Sequence, residues 1–293
     1  MKGVICYLLI NKIPKLPRLA IESALQNTSA DIYVGYLNRS DFSELPVSPR
    51  IHFIDLTAQA VEKNLMPESS GYISFDQNFF FQLVQLKWDL FQLVFSETDA
   101  DFLVYLDLDV VVLKDLITEF ESTFNSSPNV EVLVQDFTHL PSVPRLCMGI
   151  FAIKRGTFSE HLLEKCSVIH SEALTTNPRF GDDDVITTVY ADAEFRRTFL
   201  RLPQQSFPVG NLVNLFLPFS PLRGLRPPRP FVFHSNFVVG VQKKYLLLEI
   251  IYQDGKRFRI FRITQTYIIV LIDLVFRKFR GLKVKPIRGA RGK

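Results

Sequence analysis

Short apolar runs alternate with helix-type repeats along most of the chain. Runs of strand length lie at 4–10, 32–37, 51–56, 102–106, 130–135, 146–154 and 231–233. Apolar residues recur at helical spacing over 19–25, 81–95, 116–124, 157–170 and 185–191. Strands that alternate with helices are typical of a mostly parallel sheet with helices packed on its faces. The pattern therefore predicts an α/β fold.

Two acids follow the strand predicted at 102–106. Ligands of open α/β sheets bind at the carboxyl ends of strands, where Asp107 and Asp109 are placed and project to the same side of an extended chain. Two carboxylates about 4 Å apart repel each other by roughly 4 kcal/mol at an effective dielectric constant of about 20. A divalent cation such as Mg²⁺ or Mn²⁺ turns that repulsion into attraction. The pair predicts a metal site, and a solvated turn is the alternative interpretation.

Further segments carry polar residues or glycine near predicted element ends. We expect 57–80 to be a loop that borders the site, and 203–217 to be rich in loops. Gly149 lies inside a predicted strand, where glycine usually marks the close approach of a ligand or another backbone. The acids at 182–184 precede the helix predicted at 185–191, and they would also suit a helix N-terminus.

Composition places the chain among globular proteins and locates its basic charge in one segment. The 293 residues, 47% of them hydrophobic, suffice for one large or two ordinary domains. Residues 255–293 contain twelve Lys and Arg and one acid, whereas residues 1–254 contain 22 basic and 29 acidic residues. The net charge of +4 is thus a property of the tail. This distribution argues against a nucleic-acid-binding core.

Cysteine usage and the absence of long apolar stretches indicate the compartment. Cys6, Cys147 and Cys166 are widely spaced and form no CxxC pair, which suits a reducing environment and gives no zinc signature. The apolar residues after Lys2 lack the small-x-small cleavage pattern of a signal peptide, so they are interpreted as the first strand. No uninterrupted apolar stretch reaches about 18 residues, so no membrane span is predicted. We therefore expect a cytoplasmic protein.

The stretch from 267 to 285 begins apolar and becomes basic. Such a segment suits a helix that lies on anionic lipid, which predicts peripheral contact with the inner face of a membrane. Asp273 interrupts the apolar run and disfavours a span. A helix packed on the domain, followed by a disordered basic end, is the alternative.

Five segments, taken in order, carry a resemblance to a known family. They are Lys87-Trp88, the Tyr-Leu-Asp-Leu-Asp at 105–109, Cys147-Met-Gly149-Ile-Phe, Asp182-Asp-Asp-Val-Ile-Thr187, and His234-Ser-Asn236 with Gly240 and Lys243-Lys244. In combination they resemble the GT-A-fold nucleotide-diphospho-sugar transferases, close to the plant-type xylosyl- and galactosyltransferase group. The resemblance covers most of residues 1–250. It implies a Rossmann-related, mixed and mostly parallel sheet flanked by helices at 1–250. The basic segment at 251–293 is predicted to form a helical extension beyond it.

The resemblance implies a metal-dependent hexosyl- or pentosyltransferase. The donor would be a nucleotide-sugar, UDP-linked by expectation, and the acceptor a hydroxyl group of a glycan or another molecule. Two bare carboxylates would repel the donor's diphosphate, so a divalent ion, Mn²⁺ or Mg²⁺, must bridge them. The ion and a lysine would stabilise the charge of the departing nucleoside diphosphate.

The resemblance also assigns roles to individual residues. It implies that the metal ligands are Asp107, Asp109 and His234. It implies that the donor is bound by Lys87, Asp107, Gly149, Lys243 and Lys244. It also places two residues, Asp182 and Asp183, at the sugar and the reacting centre. Gly149 would let the sugar lie against the backbone, and one of the two adjacent lysines would contact the phosphates. Ordinary surface charge is the alternative interpretation of the lysines.

Two positions depart from the family pattern. A glutamine is frequent where this chain has Asp183, and an asparagine where it has Thr187. The resemblance implies retention of the anomeric configuration, whereas an aspartate at 183 could serve as the general base of an inverting reaction.

Two other functions compete with glycosyl transfer. An apolar strand that ends in Asp-x-Asp also describes the haloacid-dehalogenase-type phosphatases, with Asp107 as nucleophile and 181–183 as the distal acidic motif. That motif should end a buried strand, yet 175–180 is polar and contains a proline, and the nucleophile strand should open the domain. A catalytically silent, nucleotide-sugar-binding relative is the second alternative.

Overall fold

The computed structural model describes residues 1–10, 15–37, 42, 44–66, 77–137, 144–208, 230–236 and 241–253. The strands are β1 (Gly3–Leu9), β2 (Ile32–Tyr36), β3 (Ile51–Asp55), β4 (Phe102–Leu106), β5 (Val110–Val112), β6 (Val132–Asp136), β7 (Leu146–Lys154), β8 (Phe199–Leu202) and β9 (Val232–His234). The helices are α1 (Leu16–Asn27), α2 (Thr57–Glu62), α3 (Asn78–Leu83), α4 (Leu86–Glu97), α5 (Leu116–Ser126), α6 (Thr157–Thr176), α7 (Asp182–Ala191), α8 (Ala193–Arg196) and α9 (Val241–Gln253). Every strand predicted from the apolar runs is present, and the short strands β5 and β8 are additional.

Seven strands form one sheet in the order β3-β2-β1-β4-β7-β6-β8. The first four are mutually parallel, β6 and β8 are parallel to each other, and β7 is antiparallel to both of its neighbours. The predicted mixed, mostly parallel sheet is confirmed. The chain leaves β1 towards β2 and β3 and then returns to the other side of β1 as β4. Ligands of open α/β sheets bind in the crevice at such a switch point.

Both faces of the sheet are buried, which explains the continuous apolar runs of the strands. In β1, Val4 and Cys6 belong to one core cluster and Ile5 and Tyr7 to the other. Helices α4, α6 and α7 contribute to the first cluster, and α1 and α5 contribute to the second. The helical layers on both faces are therefore as predicted.

A second, two-stranded sheet connects distant parts of the chain. Strand β5, which follows the two acids after β4, pairs antiparallel with β9. Val110 lies opposite His234, and Val112 lies opposite Val232. This register carries His234 to the carboxyl end of β4.

Two predicted boundaries are wrong. The helix predicted at 81–95 is two helices, α3 and α4, because the chain turns at Val84 and Gln85. The Gln85 side chain donates to the Gln82 carbonyl (3.0 Å) and so competes with the helical hydrogen-bond pattern at the turn. The segment 57–80 is not entirely loop, since α2 lies within it, while residues 67–76 lie outside the described part of the chain.

The chain divides into two compact units, Met1–Leu248 and Glu249–Lys293. Only 249–253, the end of α9, is described in the second unit, so most of the predicted extension at 251–293 lies outside the described residues. Among the helices that the structure describes, none is both long and apolar enough to cross a membrane.

Candidate active site

Main-chain hydrogen bonds bring Asp107, Asp109 and His234 together at the carboxyl end of β4. The Asp107 N–H donates to the Gly149 carbonyl in β7 (3.0 Å), which fixes the first acid against the neighbouring strand. The Ser235 N–H, next to His234, donates to the Asp109 carbonyl (3.0 Å). Three segments far apart in the sequence are thus held in place by the backbone.

The three side chains converge with the spacing of metal ligands. One possible ligand atom from each of Asp107, Asp109 and His234 lies within 4.8 Å of the other two. His234 Nε2 is 3.2 Å from Asp109 Oδ1 and 3.9 Å from Asp107 Oδ2. This buried nitrogen nevertheless makes no hydrogen bond within the described residues, an arrangement that ordinarily costs about 1–3 kcal/mol. A cation among the three groups would satisfy all of them, so the residues fit a divalent metal.

Lys244, in α9, forms an ion pair with Asp109. Burial disfavours the charge of Asp109, but the positive charge of Lys244 outweighs that effect and holds the pKa of Asp109 well below its ordinary value. The sequence left Lys243 and Lys244 as equal candidates, and the structure places Lys244 on the acid. Gly240 lies outside the described residues.

Lys87, in α4, joins two acids from different elements. Its ammonium group pairs with Asp107 (3.1 Å) and with Asp182. Burial opposes the charge of Lys87, but the two carboxylates overcome that penalty and place its pKa well above the ordinary value. The surface-charge interpretation of Lys87 does not hold, because only 3% of the residue is exposed.

Tyr105 completes this network, although no separate role was predicted for it from the sequence. Its hydroxyl donates to Asp107 Oδ1 (2.9 Å), and Lys87 Nζ lies 4.3 Å from the centre of its ring. Burial and the charge of Asp107 raise the pKa of Tyr105 well above its ordinary value, so the hydroxyl keeps its proton. The available signal was its position two residues before Asp107, because alternate residues of an extended chain point to the same side.

The acids at 182–184 form the first turn of α7, as the helix-terminus interpretation expects. Asp184 Oδ2 accepts a hydrogen bond from the Gly181 N–H (3.2 Å) at the start of the helix. Asp182 is connected to the site through Lys87. The phosphatase alternative requires these acids to end a buried strand, and they begin a helix instead.

Asp183 Oδ1 accepts a hydrogen bond from the Met148 N–H of β7 (2.6 Å). Burial, together with the charge of Asp182, raises the pKa of Asp183 from 3.8 to about 7. Asp183 therefore exchanges its proton near neutral pH, unlike an ordinary carboxyl group.

The structure gives its own reason for a glycine at position 149. A Cβ atom there would lie 2.1 Å from Cε1 and 2.9 Å from Nε2 of His234. The imidazole ring therefore packs directly on the Gly149 backbone, in the space that a side chain would fill. A close approach is present, but its partner is a side chain of this chain, and the sugar contact stays a prediction.

Gln135 is a further residue of the site that the sequence analysis did not single out. It is fully buried in β6, and its Oε1 lies 2.9 Å from Nδ1 of His234. The signal available was a polar residue at the end of the apolar run 130–135. A run of this kind does not show what the polar side chain faces.

This chain is similar in structure to solved glycosyltransferases. No protein-family model matches its sequence, and no curated protein matches it. The apo form of the glycosyltransferase GlyE from Streptococcus pneumoniae TIGR4 is 15% identical, with a TM-score of 0.54 over 91% of this chain, which spans 63% of the length of GlyE. The galactosyltransferase LgtC, in complex with donor and acceptor sugar analogues, is 14% identical, with a TM-score of 0.51 over 84% of this chain and 95% of LgtC. Apo mouse xyloside xylosyltransferase 1 is 14% identical, with a TM-score of 0.49 over 80% of this chain and 98% of its own.

GlyE and LgtC establish the fold. The chain has the GT-A-like glycosyltransferase fold that its five sequence segments predicted. Because the sequence identities are only 14–15%, the similarity to these two proteins concerns the fold.

Proposed function

We propose that this protein, whose fold is that of GT-A glycosyltransferases, is a metal-dependent hexosyl- or pentosyltransferase. It moves a sugar from a nucleotide-diphosphate donor, UDP-linked in this proposal, to a hydroxyl group of a glycan or another acceptor. The observation that carries the proposal is the convergence of Asp107, Asp109 and His234 around a buried nitrogen that has no hydrogen-bond partner among the described residues. The switch-point position beside β4 also favours ligand binding there.

Asp107, Asp109 and His234 would hold the metal ion. When bound, a divalent ion supplies electrostatic stabilisation of the departing diphosphate. Carboxylates suit both Mg²⁺ and Mn²⁺, whereas an imidazole nitrogen suits transition-metal ions. The mixed ligand set therefore favours Mn²⁺ of the two.

The chain's own cations would contact the donor. Lys87 and Lys244 both lie against acids of the site, and preorganised positive charge is most effective where negative charge develops in the transition state. In this proposal Lys244 contacts the diphosphate, with Lys243 as the alternative, and Lys87 contacts the rest of the donor. The Gly149 backbone borders the sugar.

Asp182 and Asp183 are the proposed catalytic pair. A group whose pKa lies near the operating pH exchanges protons most effectively, and the pKa of Asp183, about 7, meets that condition. Asp183 would hold or release a proton at the reacting centre, while Asp182 would face the sugar and orient Lys87.

Calorimetric titration of the protein with UDP, with and without Mn²⁺, tests the donor site. The wild type is expected to bind UDP in a metal-dependent manner, and Asp109→Asn is expected to lose that dependence while keeping the shape of the side chain. Asp99→Asn is the matched control, because Asp99 is an exposed acid paired with Lys2 ahead of β4, at the opposite edge of the sheet.

Absence of binding of UDP, GDP and dTDP in the presence of Mn²⁺ would contradict the proposed donor site. If binding is present, incubation with UDP-sugars and hydroxyl acceptors separates a transferase from a silent relative. A transferase releases UDP, whereas a silent relative retains metal-dependent binding without turnover.

A cytoplasmic location and peripheral contact with anionic membrane complete the proposal. The tail at 255–293 supports the membrane contact, since twelve of its residues are Lys or Arg and one is acidic. The three cysteines are free and buried, which suits a reducing compartment.

A further inference from the structure

Strand β6 contains an irregularity next to its one buried amide side chain. The register between β6 and β7 shifts between Val134 and Gln135, as at a β-bulge. Bulges are frequent next to functional sites, where they redirect a side chain. Gln135 is fully buried and follows directly after this shift.

The amide group of Gln135 has only one orientation that fits its neighbours. Its Nε2 donates to the carbonyls of Phe207 (3.2 Å) and Pro208 (3.1 Å). Because both partners are acceptors, the nitrogen of the amide must point towards them. The amide oxygen is thereby directed to Nδ1 of His234 at 2.9 Å.

The carbonyl partners of Gln135 are themselves held in place. The ring of Phe207 stacks on Phe120 and on Phe231, with ring centres 5.4 Å apart in each pair. The Phe231 N–H donates to the Ser206 carbonyl (2.9 Å), which fixes the same loop to the chain that leads into β9. The orientation of Gln135 thus rests on a packed aromatic stack.

An amide oxygen can only accept, so the imidazole nitrogen facing it must carry a proton. With the proton of the neutral ring on Nδ1, the lone pair of His234 lies on Nε2 and faces Asp107 and Asp109. A metal ligand needs that unprotonated nitrogen, and the partner of the other ring nitrogen sets which one it is.

We propose that Gln135 is the positioning residue that fixes His234 as the Nδ1–H tautomer and thereby keeps Nε2 free as a metal ligand. This inference rests on the proposed function, since it concerns the same metal. It assigns Gln135 no contact with the substrate. Gly149 supports the arrangement from the other side, because its bare backbone leaves room for the ring.

Two substitutions distinguish a role of Gln135 in fixing the His234 tautomer from a role in anchoring the loop at Phe207 and Pro208. Gln135→Met keeps the volume and loses both the amide oxygen and the amide nitrogen. Gln135→Glu loses the amide donor to the loop carbonyls but keeps an oxygen that accepts from Nδ1–H. If Gln135 only anchors the loop at Phe207 and Pro208, both variants should be impaired alike. If it fixes the tautomer, only the methionine variant should bind metal weakly.

The first readout is the tautomer itself, in the metal-free full-length protein. Nitrogen NMR of protein labelled in its five histidines, with the His234 signals assigned by comparison with His234→Asn, reports which ring nitrogen is protonated. We expect Nδ1–H in the wild type and in Gln135→Glu, and a mixture or Nε2–H in Gln135→Met. A neutral ring with its proton on Nε2 and none on Nδ1 in the wild type would overturn the inference.

The second readout is the affinity for Mn²⁺ in the presence of UDP, measured from the EPR signal of free Mn²⁺. We expect Gln135→Met to bind Mn²⁺ about 10–100-fold more weakly than the wild type, as is typical for loss of the hydrogen bond behind a metal-ligating histidine. Equal affinities of the wild type and Gln135→Met would also overturn the inference. A wild type that binds no Mn²⁺ would instead contradict the proposed function, and the NMR result would still decide the tautomer.

Discussion

Asp183 is a residue whose charge changes close to neutral pH. Its pKa is raised from 3.8 to about 7 by burial and by the charge of Asp182. Between these two values the folded protein keeps a proton that the unfolded chain has released. The stabilising contribution of the protonated group is therefore full below 3.8 and is lost as the pH rises to about 7.

We expect Asp183→Asn to flatten this dependence. The asparagine keeps an oxygen that accepts from the Met148 N–H but does not ionise, so the free energy of unfolding should decline less than in the wild type between 3.8 and about 7. Urea unfolding over that pH range measures the difference. Asp192→Asn is the control, because a hydrogen bond from Lys165 lowers the pKa of Asp192, so its contribution changes below 3.8 and its removal should leave the slope above 3.8 nearly unchanged. Parallel curves for the wild type and Asp183→Asn would contradict the assignment.

Gly149→Ala should displace the imidazole of His234, since the added Cβ would lie 2.1 Å from its Cε1. We expect at least about a tenfold loss of Mn²⁺ affinity, together with an overpacking cost of about 1–3 kcal/mol. Gly3→Ala is the matched control, with its added Cβ 2.3 Å from Cζ of Phe102, at the amino end of β1 and β4. The control should lose stability and keep its affinity for Mn²⁺. Equal Mn²⁺ affinity in Gly149→Ala and Gly3→Ala would show that Gly149 is not needed to position His234.

Among individual residues, the sequence allowed prediction of those whose position at the end of a single strand already suggests a role. Asp107 and Asp109 follow an apolar run, and that position alone indicates a ligand site. Tyr105 and Gln135 escaped prediction because a polar side chain in a strand has no visible partner until the neighbouring strands are known. The reason for Gly149 was likewise hidden, since the ring that covers it comes from β9.

Helix α7 is attached to strand β7 by side chains one turn apart. Thr187 Oγ1 accepts from the Leu146 N–H (3.1 Å), and Asp183 Oδ1 accepts from the Met148 N–H. Residues four apart lie on the same face of a helix, and alternate residues of a strand point the same way, so the two spacings match. These contacts hold the amino end of β7 beside the proposed site.

We expect Thr187→Val to destabilise the protein by about 1–3 kcal/mol, because it leaves a buried N–H without its acceptor at nearly constant volume. Chemical denaturation followed by circular dichroism measures the change. Thr188→Val is the control on the same helix, since the Thr188 hydroxyl only donates to the Asp184 carbonyl within the helix. Similar losses in both variants would mean that the contact to Leu146 contributes nothing specific.

Element types were predictable from periodicity, and their pairings were not. The apolar repeat at 81–95 predicted one helix, but the side chain of Gln85 competes at a turn that repeat analysis does not detect. Strand β5 is short, and its partner β9 is far away in the sequence, so no local pattern indicates that Val110 meets His234. That single pairing determines where His234, the third proposed ligand, lies.

The whole chain has a strongly uneven charge, and the consequence can be tested. Residues 255–293 carry a net charge of +11, whereas residues 1–254 carry −7. We expect the full chain to co-sediment with anionic vesicles at low salt and to be released at high salt, because exposed charges are screened over about 10 Å at 0.1 M salt. Neutral phosphatidylcholine vesicles are the control for the lipid, and a chain that ends at residue 254 is the control for the tail. Failure of the full chain to bind anionic vesicles would contradict the membrane contact.

The overall architecture followed from the alternation of strands and helices, whereas the strand order did not. Strand β7 runs against its neighbours, and nothing in its apolar sequence at 146–154 distinguishes it from a parallel strand. Its reversal brings the amino end of the strand, with Cys147 and Gly149, to the edge where the other strands end. The family resemblance pointed to this strand as part of the site, because the third of its five segments, Cys147 to Phe151, lies in β7.

In the proposed function, the lysines of the site would make the binding of metal and donor interdependent. Lys87 and Lys244 already offset much of the negative charge of Asp107, Asp109 and Asp182. A divalent cation that arrives alone must displace Lys244 from Asp109 and leaves the cluster with excess positive charge. A diphosphate that arrives alone meets carboxylates whose negative charge the two lysines offset only in part. Each ligand thus creates the charge that the other requires, and each strengthens the binding of the other by the same coupling free energy. In this proposal the site therefore favours the metal–nucleotide complex over either component alone.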